Sequence, residues 1–308
     1  MGYSGWSNDA YTNLTSSKGY ASKSADDIFS RSMSSDMTPL NLGIREARDS
    51  DAHPTSLAVM VFLDVTGSMG RIPHAIAQEK LGALMNTIID NGVEHPQVLF
   101  GAIGDHHSDR SPLQLGQFEA GTEELDKWLT SVFIEGNGGG QNRESYLLAW
   151  LTAGRHTSID CFEKRNEKGF LFTIGDEKSW DTLDANALKE LLGYAQADEL
   201  NDKQLLEEAQ RLYNVYHIHV NEGSYRDDPE ILGYWKEMLG ERLIVLEDYN
   251  AICETIATLI AVQHGVDLND VISKFDAKTA GLVTTALATV VQGSIVSASD
   301  DGVIKLDE

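Results

Sequence analysis

Residues 57–70 read LAVMVFLDVTGSMG, and this stretch decides the fold. Its first half is a continuous apolar run, which is typical of a strand buried on both faces in the middle of a parallel sheet. Its second half turns polar, because Asp64, Thr66 and Ser68 place oxygen-bearing side chains at alternate positions. A helical pattern over 73–90 follows. The acidic turn is therefore expected at the carboxyl end of a central strand, where open α/β sheets bind ligands.

The rest of the chain alternates between strand and helix patterns. Apolar strand patterns cover 97–103, 170–174, 214–220 and 243–246, and 112–118 predicts a short antiparallel edge strand. Helical patterns cover 123–132, 145–152, 184–192, 202–213, 228–239 and 249–262. In the first of these, Asp126 is expected on the solvent side. The alternation predicts an α/β fold, with a doubly wound, mostly parallel Rossmann-like sheet of about six strands and one antiparallel edge strand.

We predict three parts: an N-terminal arm over 1–54, the α/β domain over 55–263, and a C-terminal helical extension over 264–308. The arm is rich in Ser, Asp, Asn and Thr, with scattered aromatic residues. It is either loosely ordered or docked on the domain through those aromatics, and the sequence leaves both alternatives open. The extension carries helical patterns over 268–275 and 278–291, the second of which is expected to pack on the domain or on another copy of the chain.

Composition excludes several classes of function. The formal net charge of -24 over 308 residues argues against binding to nucleic acid or to anionic membranes, because both need a basic surface. Cys161 and Cys253 are the only cysteines, so no disulfide framework is expected. No secretory signal and no membrane-spanning stretch is recognisable. We therefore predict a cytoplasmic protein.

Asp64, Thr66 and Ser68 offer a carboxylate and two hydroxyls, which are the oxygen ligands that Mg²⁺ prefers. Asp176 follows the strand pattern 170–174 and is expected to hold the same ion through water. Such an ion would be under-neutralised and would keep one open position, which a carboxylate of a partner protein can fill. The alternative is that Thr66 and Ser68 cap the following helix while Asp64 accepts backbone N–H groups of the turn.

The pattern Asp64-x-Thr66-x-Ser68 after a buried strand resembles the metal-ion-dependent adhesion site (MIDAS) of von Willebrand factor A (vWA) domains, whose usual form is Asp-x-Ser-x-Ser. The order of elements over 55–262 resembles that fold as well. The resemblance implies Asp176 as the Asp after the fourth strand. It also implies a second-loop ligand, usually Thr and sometimes Asp, directly after the glycine run 136–140, where Gln141 and Asn142 stand instead.

The resemblance implies a cofactor and a partner. The metal is Mg²⁺, with Mn²⁺ or Ca²⁺ as alternatives, and its predicted ligands are Asp64, Thr66, Ser68, Gln141, Asn142 and Asp176. The protein would be a binding module and not an enzyme, and the metal would bridge to an acidic residue of a protein partner. Intracellular and phage-encoded relatives of this kind often work beside AAA+ ATPases of the MoxR type, so such an ATPase or an assembly partner is the expected class.

Two other functions stay open. The same motif resembles the nucleophile loop of haloacid-dehalogenase-type phosphohydrolases, in which Asp64 would form an aspartyl phosphate and Asp176 and Asp181 would hold Mg²⁺. In that scheme Thr66 stands where the general-acid Asp belongs, and no lysine is a clear partner for the phosphate. The other alternative is a structural or assembly protein whose site holds no metal and whose arm and tail do the binding.

Two histidine pairs are further candidates for metal ligands. Asp105, His106, His107 and Asp109 follow the strand pattern 97–103, and we expect a solvated loop held by local turn bonds. His217 and His219 lie at strand spacing and share one face, which is the arrangement of a zinc-ligand pair, but a packed strand face is the more ordinary outcome.

Overall fold

The computed structural model describes residues 4–136, 141–195, 198–222 and 225–300, with the backbone alone at positions 68, 70, 79 and 291–300. In chain order its strands are β1 (Arg45–Ala47), β2 (Leu57–Asp64), β3 (Pro96–Ile103), β4 (Leu113–Leu115), β5 (Arg143–Glu144), β6 (Thr157–Ile159), β7 (Gly169–Gly175), β8 (Lys178–Ser179), β9 (Thr182–Leu183), β10 (Leu200–Asn201), β11 (Tyr213–Val220) and β12 (Leu243–Leu246).

The helices are α1 (Asn8–Lys18), α2 (Ala25–Ile28), α3 (Arg71–Ala75), α4 (Leu81–Asp90), α5 (Thr122–Thr130), α6 (Leu147–Arg155), α7 (Asp160–Arg165), α8 (Ala185–Leu192), α9 (Asp202–Leu212), α10 (Pro229–Leu239), α11 (Ile252–Gln263), α12 (Leu268–Ile272) and α13 (Ala277–Asp300). Helix α10 begins as its sequence indicates, because Asp228 caps it and Pro229 fills its first turn. Helix α5 is capped at Gly121 and includes Thr122 in its first turn.

The centre of the fold is a six-stranded sheet in the order β12-β11-β7-β2-β3-β4. Neighbouring strands are parallel except β4, which runs antiparallel to β3 at one edge. All eight residues of β2 are buried, as the apolar run predicts for a central strand. The predicted α/β class and mostly parallel sheet with one antiparallel edge strand are confirmed.

The strand order changes direction at β2. The chain passes from β2 to β3 on one side and later adds β7 on the other side of β2. Leu63 of β2 is paired with Ile174 of β7, so Asp64 and Gly175 end the two strands at the same level. This is a topological switch point, where the two outgoing connections diverge and leave a crevice.

The segment after β2 is helical but not uniform. A 3₁₀ turn over Gly67–Gly70 leads into α3, a π-helical turn spans Ile76–Lys80, and α4 completes the segment. The sequence pattern predicts one helix over 73–90 and misses the π turn. Such turns are rare within helices and often lie near functional sites.

The N-terminal arm packs through its aromatic side chains. Tyr11, Tyr20 and Phe29 are buried, so of the two alternatives for the arm the docked one is observed. Lys18 and Tyr20 both bond Asp126 of α5, which is 1% exposed. The expectation of a solvent-facing Asp126 is wrong because the arm covers that side of α5. The predicted boundaries at 54 and 263 stay predictions.

Short strand pairs connect the loops around the sheet. β5 runs parallel to β8, and β9 pairs antiparallel with β10. At two residues each, they are too short for an alternating pattern to reveal them in the sequence.

In the described part of the C-terminal extension the chain forms α12 and α13, and α13 packs against β12 and α11 with Val283 and Leu287 buried. In the ranges that the structure describes, no helix combines the length and apolar character needed to cross a membrane.

Candidate metal centre

Asp64 ends β2 in the crevice and is 1% exposed. Its Oδ1 accepts hydrogen bonds from the backbone N–H of Thr66 at 2.8 Å and from the Thr66 hydroxyl at 2.6 Å. The bond from the Thr66 backbone N–H is the one expected for Asp64 if this motif only caps the following helix. Thr66 does not cap, because the 3₁₀ turn that follows has no side-chain cap bond. Burial raises the pKa of Asp64 above its ordinary range, and the two Thr66 bonds oppose that rise.

Glu144, on β5, lies beside Asp64 and Thr66. Its Oε1 lies 3.0 Å from the Thr66 hydroxyl, and the residue is 1% exposed. The Thr66 hydroxyl has a single proton and already donates to Asp64, so the contact with Glu144 is a hydrogen bond when Glu144 itself carries a proton. Burial, followed by the nearby Asp64 charge, raises the pKa of Glu144 strongly, which favours that neutral form.

Asp176 and Glu177 follow β7 on the other side of the crevice. Asp176 is 7% exposed, and burial raises its pKa to about 6. Burial, then the charges of Asp64 and Asp176, raises the pKa of Glu177 to about 8. Arg71 at the start of α3 acts on Asp176 in the opposite direction, lowering its pKa.

These four carboxyl groups are an acidic cluster, which we define as Asp64, Glu144, Asp176 and Glu177. Within the described ranges, no lysine, arginine or histidine forms a salt bridge with any of them. Glu177 forms side-chain hydrogen bonds with Glu144 and with Tyr225, and a bond between two carboxyl groups requires that one of them carries a proton. Buried carboxylates are normally paired with a cation or hydrogen-bonded, and in this cluster protons and hydroxyl donors take the place of a cation.

The sequence-predicted residues are only partly brought together. Asp64, Thr66 and Asp176 lie at the crevice. The side chain of Ser68 and residues 137–140, which include three of the glycines, fall outside the described residues. Gln141 is exposed, and Asn142 is half-buried and uses its backbone carbonyl to accept a bond from Lys178 N–H at 3.1 Å. Neither amide side chain takes part in the described hydrogen bonds to Asp64 or Thr66.

Sequence reasoning missed Glu144, Tyr146 and Glu177. Glu177 directly follows a predicted ligand, and Glu144 lies within four residues of the glycine run, so proximity was the available signal. The two-residue strand β5 that aims Glu144 at Thr66 has no pattern of its own.

The donors are all oxygens, which suits a hard divalent cation. The site is not arranged as a finished coordination shell, however. In the described part of the chain, no three Asp, Glu, His or Cys side chains converge in a geometry that could hold a metal ion. The phosphohydrolase alternative needs a lysine beside the phosphate on Asp64. In the described part of the chain no lysine bonds Asp64, whose described partners are Thr66 and Tyr146.

The histidine pairs have other partners. Asp105 is buried and accepts bonds from His107 N–H, the Ser108 hydroxyl and the Trp180 indole, so the loop is held by local bonds but is less solvated than expected. His217 and His219 are 0% exposed. His217 stacks on Trp235 with ring centroids 3.5 Å apart, so its side of the strand is packed, as expected.

No protein-family model matches the chain, and no curated protein matches it significantly. Among solved structures, the pilus adhesin SpaC from Lactobacillus rhamnosus GG in its open conformation is 10% identical with a TM-score of 0.44, over 72% of this chain and 31% of the adhesin. Proximal thread matrix protein 1 from the mussel byssus is 10% identical with a TM-score of 0.44, over 67% of this chain and 48% of that protein. The chain thus spans less than half the length of either protein.

Proposed function

We propose that this chain is a vWA-like, metal-dependent protein-binding module that holds Mg²⁺ or Mn²⁺ at the switch point of its sheet. The ion would bridge to an Asp or Glu of a protein partner. The observation that carries the proposal is the acidic cluster at the end of β2 and β7, in which carboxyl groups from separate segments lie close together and none forms a salt bridge with a lysine, arginine or histidine of the described residues.

A divalent ion would relieve the electrostatic problem that raises these pKa values. Desolvation favours protons on Asp64, Asp176 and Glu177, and repulsion from neighbouring acids adds to this effect at Asp64 and Glu177. A cation competes with those protons and favours the charged form of each ligand. Binding would replace the Thr66–Asp64 hydroxyl bond by bonds from both oxygens to the ion, which accounts for the absence of a preformed shell.

A partner carboxylate is the proposed occupant of an open position on the ion. One divalent ion needs about two negative ligands for neutrality, and Mg²⁺ keeps several water molecules that a protein ligand can displace. The chain's charge of -24 repels an acidic partner at long range. Specific attraction to a carboxylate would therefore come from the ion itself.

Water-proton relaxation of the Mn²⁺-loaded protein tests this function. An N-acetyl-aspartate amide probe should lower the relaxation enhancement as its carboxylate replaces Mn²⁺-bound water, and the matched N-acetyl-asparagine amide should not. Asp64→Asn should abolish Mn²⁺ binding. Asp181→Asn, an exposed carboxylate paired with Arg143, is the control and should bind Mn²⁺ like the unmodified protein. Equal responses to the two probes would contradict carboxylate capture.

A further inference from the structure

A cavity of about 190 Å³ lies between the helical segment that follows the acidic turn and the 3₁₀ turn that precedes α11. Its described polar lining consists of Arg71, His74, Gln78, Lys80, Tyr249 and Asn250. None of these side chains is acidic, although the chain has 48 acidic and 24 basic residues. The cavity has room for several water molecules, and so for a carboxylate or a phosphate group. We call it the basic pocket.

The π turn over Ile76–Lys80 brings Lys80 to this pocket. Lys80 lies nine residues after Arg71, which is about two and a half turns at 3.6 residues per turn, so a regular α-helix would place the two on opposite sides. A π turn takes about one residue more than an α turn, so Lys80 lags by about a quarter of a turn and moves toward the side of Arg71. The helix is thus deformed at the point where the deformation gathers positive charge.

Contacts from outside the pocket hold both cations in place. The Arg71 guanidinium carbon lies 4.6 Å from the centroid of the Tyr249 ring, and one Arg71 nitrogen donates to Glu222 at 2.8 Å. Lys80 Nζ donates to the buried Glu254 at 2.8 Å. Both glutamates lie outside the described lining of the pocket. An arginine side chain has five N–H donors, so the bond to Glu222 leaves Arg71 able to donate to a further anion.

The N-terminal arm fixes two other side chains of the pocket. His74 Nε2 donates to the Lys23 carbonyl at 3.0 Å, and the Gln78 amide donates to the Tyr20 carbonyl at 2.8 Å. These bonds come from a segment far away in sequence. The lining is therefore held in place before any ligand arrives, which is the form of a preorganised binding site.

The basic pocket borders the crevice of the acidic cluster. Arg71 directly follows the 3₁₀ turn Gly67–Gly70 after β2, and its charge acts to lower the pKa of Asp176. At physiological ionic strength, charges farther apart than about 8 Å are largely screened. The local cations therefore act on a bound group more strongly than the distant acids that give the chain its charge of -24.

We propose that the basic pocket binds the carboxylate of an acidic side chain on a peptide partner, as a second contact beside the one proposed for the ion. The inference rests on the proposed function for the choice of an acidic partner, but the pocket itself needs no metal. A partner would then present two acidic side chains, one to the ion and one to the pocket. A phosphate group offers the same anionic oxygens, and the experiment separates the two.

Nuclear magnetic resonance titration of the metal-free protein in EDTA tests the proposal. The probe is a capped triglutamate peptide, compared with a triglutamine peptide and with a peptide that has one phosphoserine between two glutamines. The glutamate peptide should shift the amide signals of residues 71–80 and 249–250, and the glutamine peptide should not. Equal shifts from these two peptides, or shifts confined to other residues, would overturn the proposal. Binding of the phosphoserine peptide alone would overturn the carboxylate in favour of a phosphorylated side chain.

Three variants locate the binding. Arg71→Gln should weaken binding of the triglutamate peptide by about tenfold or more, because it removes charge-assisted hydrogen bonds. His74→Glu leaves the described ion pairs of the pocket intact, places a carboxylate inside it and should abolish binding. Arg226→Gln removes an exposed, ion-paired arginine elsewhere and should leave the affinity unchanged. Unchanged affinity in His74→Glu, or an equal loss in Arg71→Gln and Arg226→Gln, would overturn the pocket.

The titration in EDTA and the Mn²⁺ test of the proposed function fail separately. Binding of the triglutamate peptide in EDTA supports the pocket even when the aspartate and asparagine probes give equal responses with Mn²⁺, and that combination contradicts the ion bridge alone. No binding in EDTA together with unequal responses of those two probes overturns the pocket alone.

Discussion

The hydroxyl of Tyr146 donates a hydrogen bond to Asp64 Oδ2 across 3.1 Å, and both side chains are buried. Asp64 Oδ1 is bonded by Thr66, so the Tyr146 bond fixes the second oxygen and with it the orientation of the carboxyl group. Burial raises the pKa of Tyr146 well above its usual range, so its hydroxyl keeps its proton and stays a donor. Tyr146 is thus a positioning residue for Asp64.

Replacing Tyr146 by Phe should reduce the free energy of unfolding by about 1–2 kcal/mol, because Asp64 Oδ2 loses a buried donor. The same change should weaken Mn²⁺ binding, since Asp64 is then free to turn. Urea unfolding and calorimetry measure the two effects. Unchanged stability and unchanged Mn²⁺ affinity together would show that the bond does not orient Asp64.

Gly175 leaves the space in which this bond forms. A Cβ at position 175 would lie 1.8 Å from the Tyr146 hydroxyl oxygen and 2.9 Å from Asp64 Oδ2. Gly175→Ala should therefore push Tyr146 away and destabilise the protein by about 1–3 kcal/mol. Gly233→Ala in α10 is the matched control, because nothing lies within 4 Å of its added Cβ. That control should gain up to about 1 kcal/mol from helix propensity. Equal stability changes at 175 and 233 would contradict the steric account.

The metal-free protein should lose stability as pH rises from about 7 to 8.5. Burial raises the pKa of Glu177 from 4.5 to about 8, so in this window the folded state binds more protons than the unfolded state. Stability then falls with rising pH. The half-buried His106 and the buried His219 have pKa values lowered to about 4, so they stay neutral here in the folded state.

Glu177→Gln removes one of the titrating groups and should make this dependence shallower, leaving the part due to Glu144, whose pKa burial raises strongly. Saturating Mn²⁺ should flatten the dependence further. Melting temperature at half-unit steps of pH is the measurement. A melting temperature that rises steadily through the window in the unmodified metal-free protein would contradict the sign.

The docked arm supports the segment that follows the acidic turn. The Tyr11 hydroxyl donates to the Ala77 carbonyl at 3.1 Å, within the π turn. Tyr11→Phe should cost about 1 kcal/mol and speed hydrogen exchange at residues 76–80. Thr12→Ala, which changes the exposed neighbour on α1, should leave exchange there unchanged. Equal exchange in Tyr11→Phe and the unmodified protein would show that the arm does not restrain this turn.

The long apolar and helical patterns of the sequence predicted the fold and the part of the site that follows β2. The apolar run of β2 and the polar turn after it predict a buried central strand with Asp64 at its carboxyl end, and both are observed. Asp126 was placed wrongly because helical periodicity does not report what an arm far away in sequence covers. Glu144 was missed because its position depends on a two-residue pairing with β8, which is set by tertiary contacts.

The central claim is that a divalent ion binds between β2 and β7, and anomalous diffraction from crystals soaked in Mn²⁺ tests it most directly. We expect an anomalous peak about 2.0–2.3 Å from oxygens of Asp64 and Thr66, with Asp176 within one water of it. A map with no peak in this crevice at saturating Mn²⁺, or with its peak on other residues, would contradict the account.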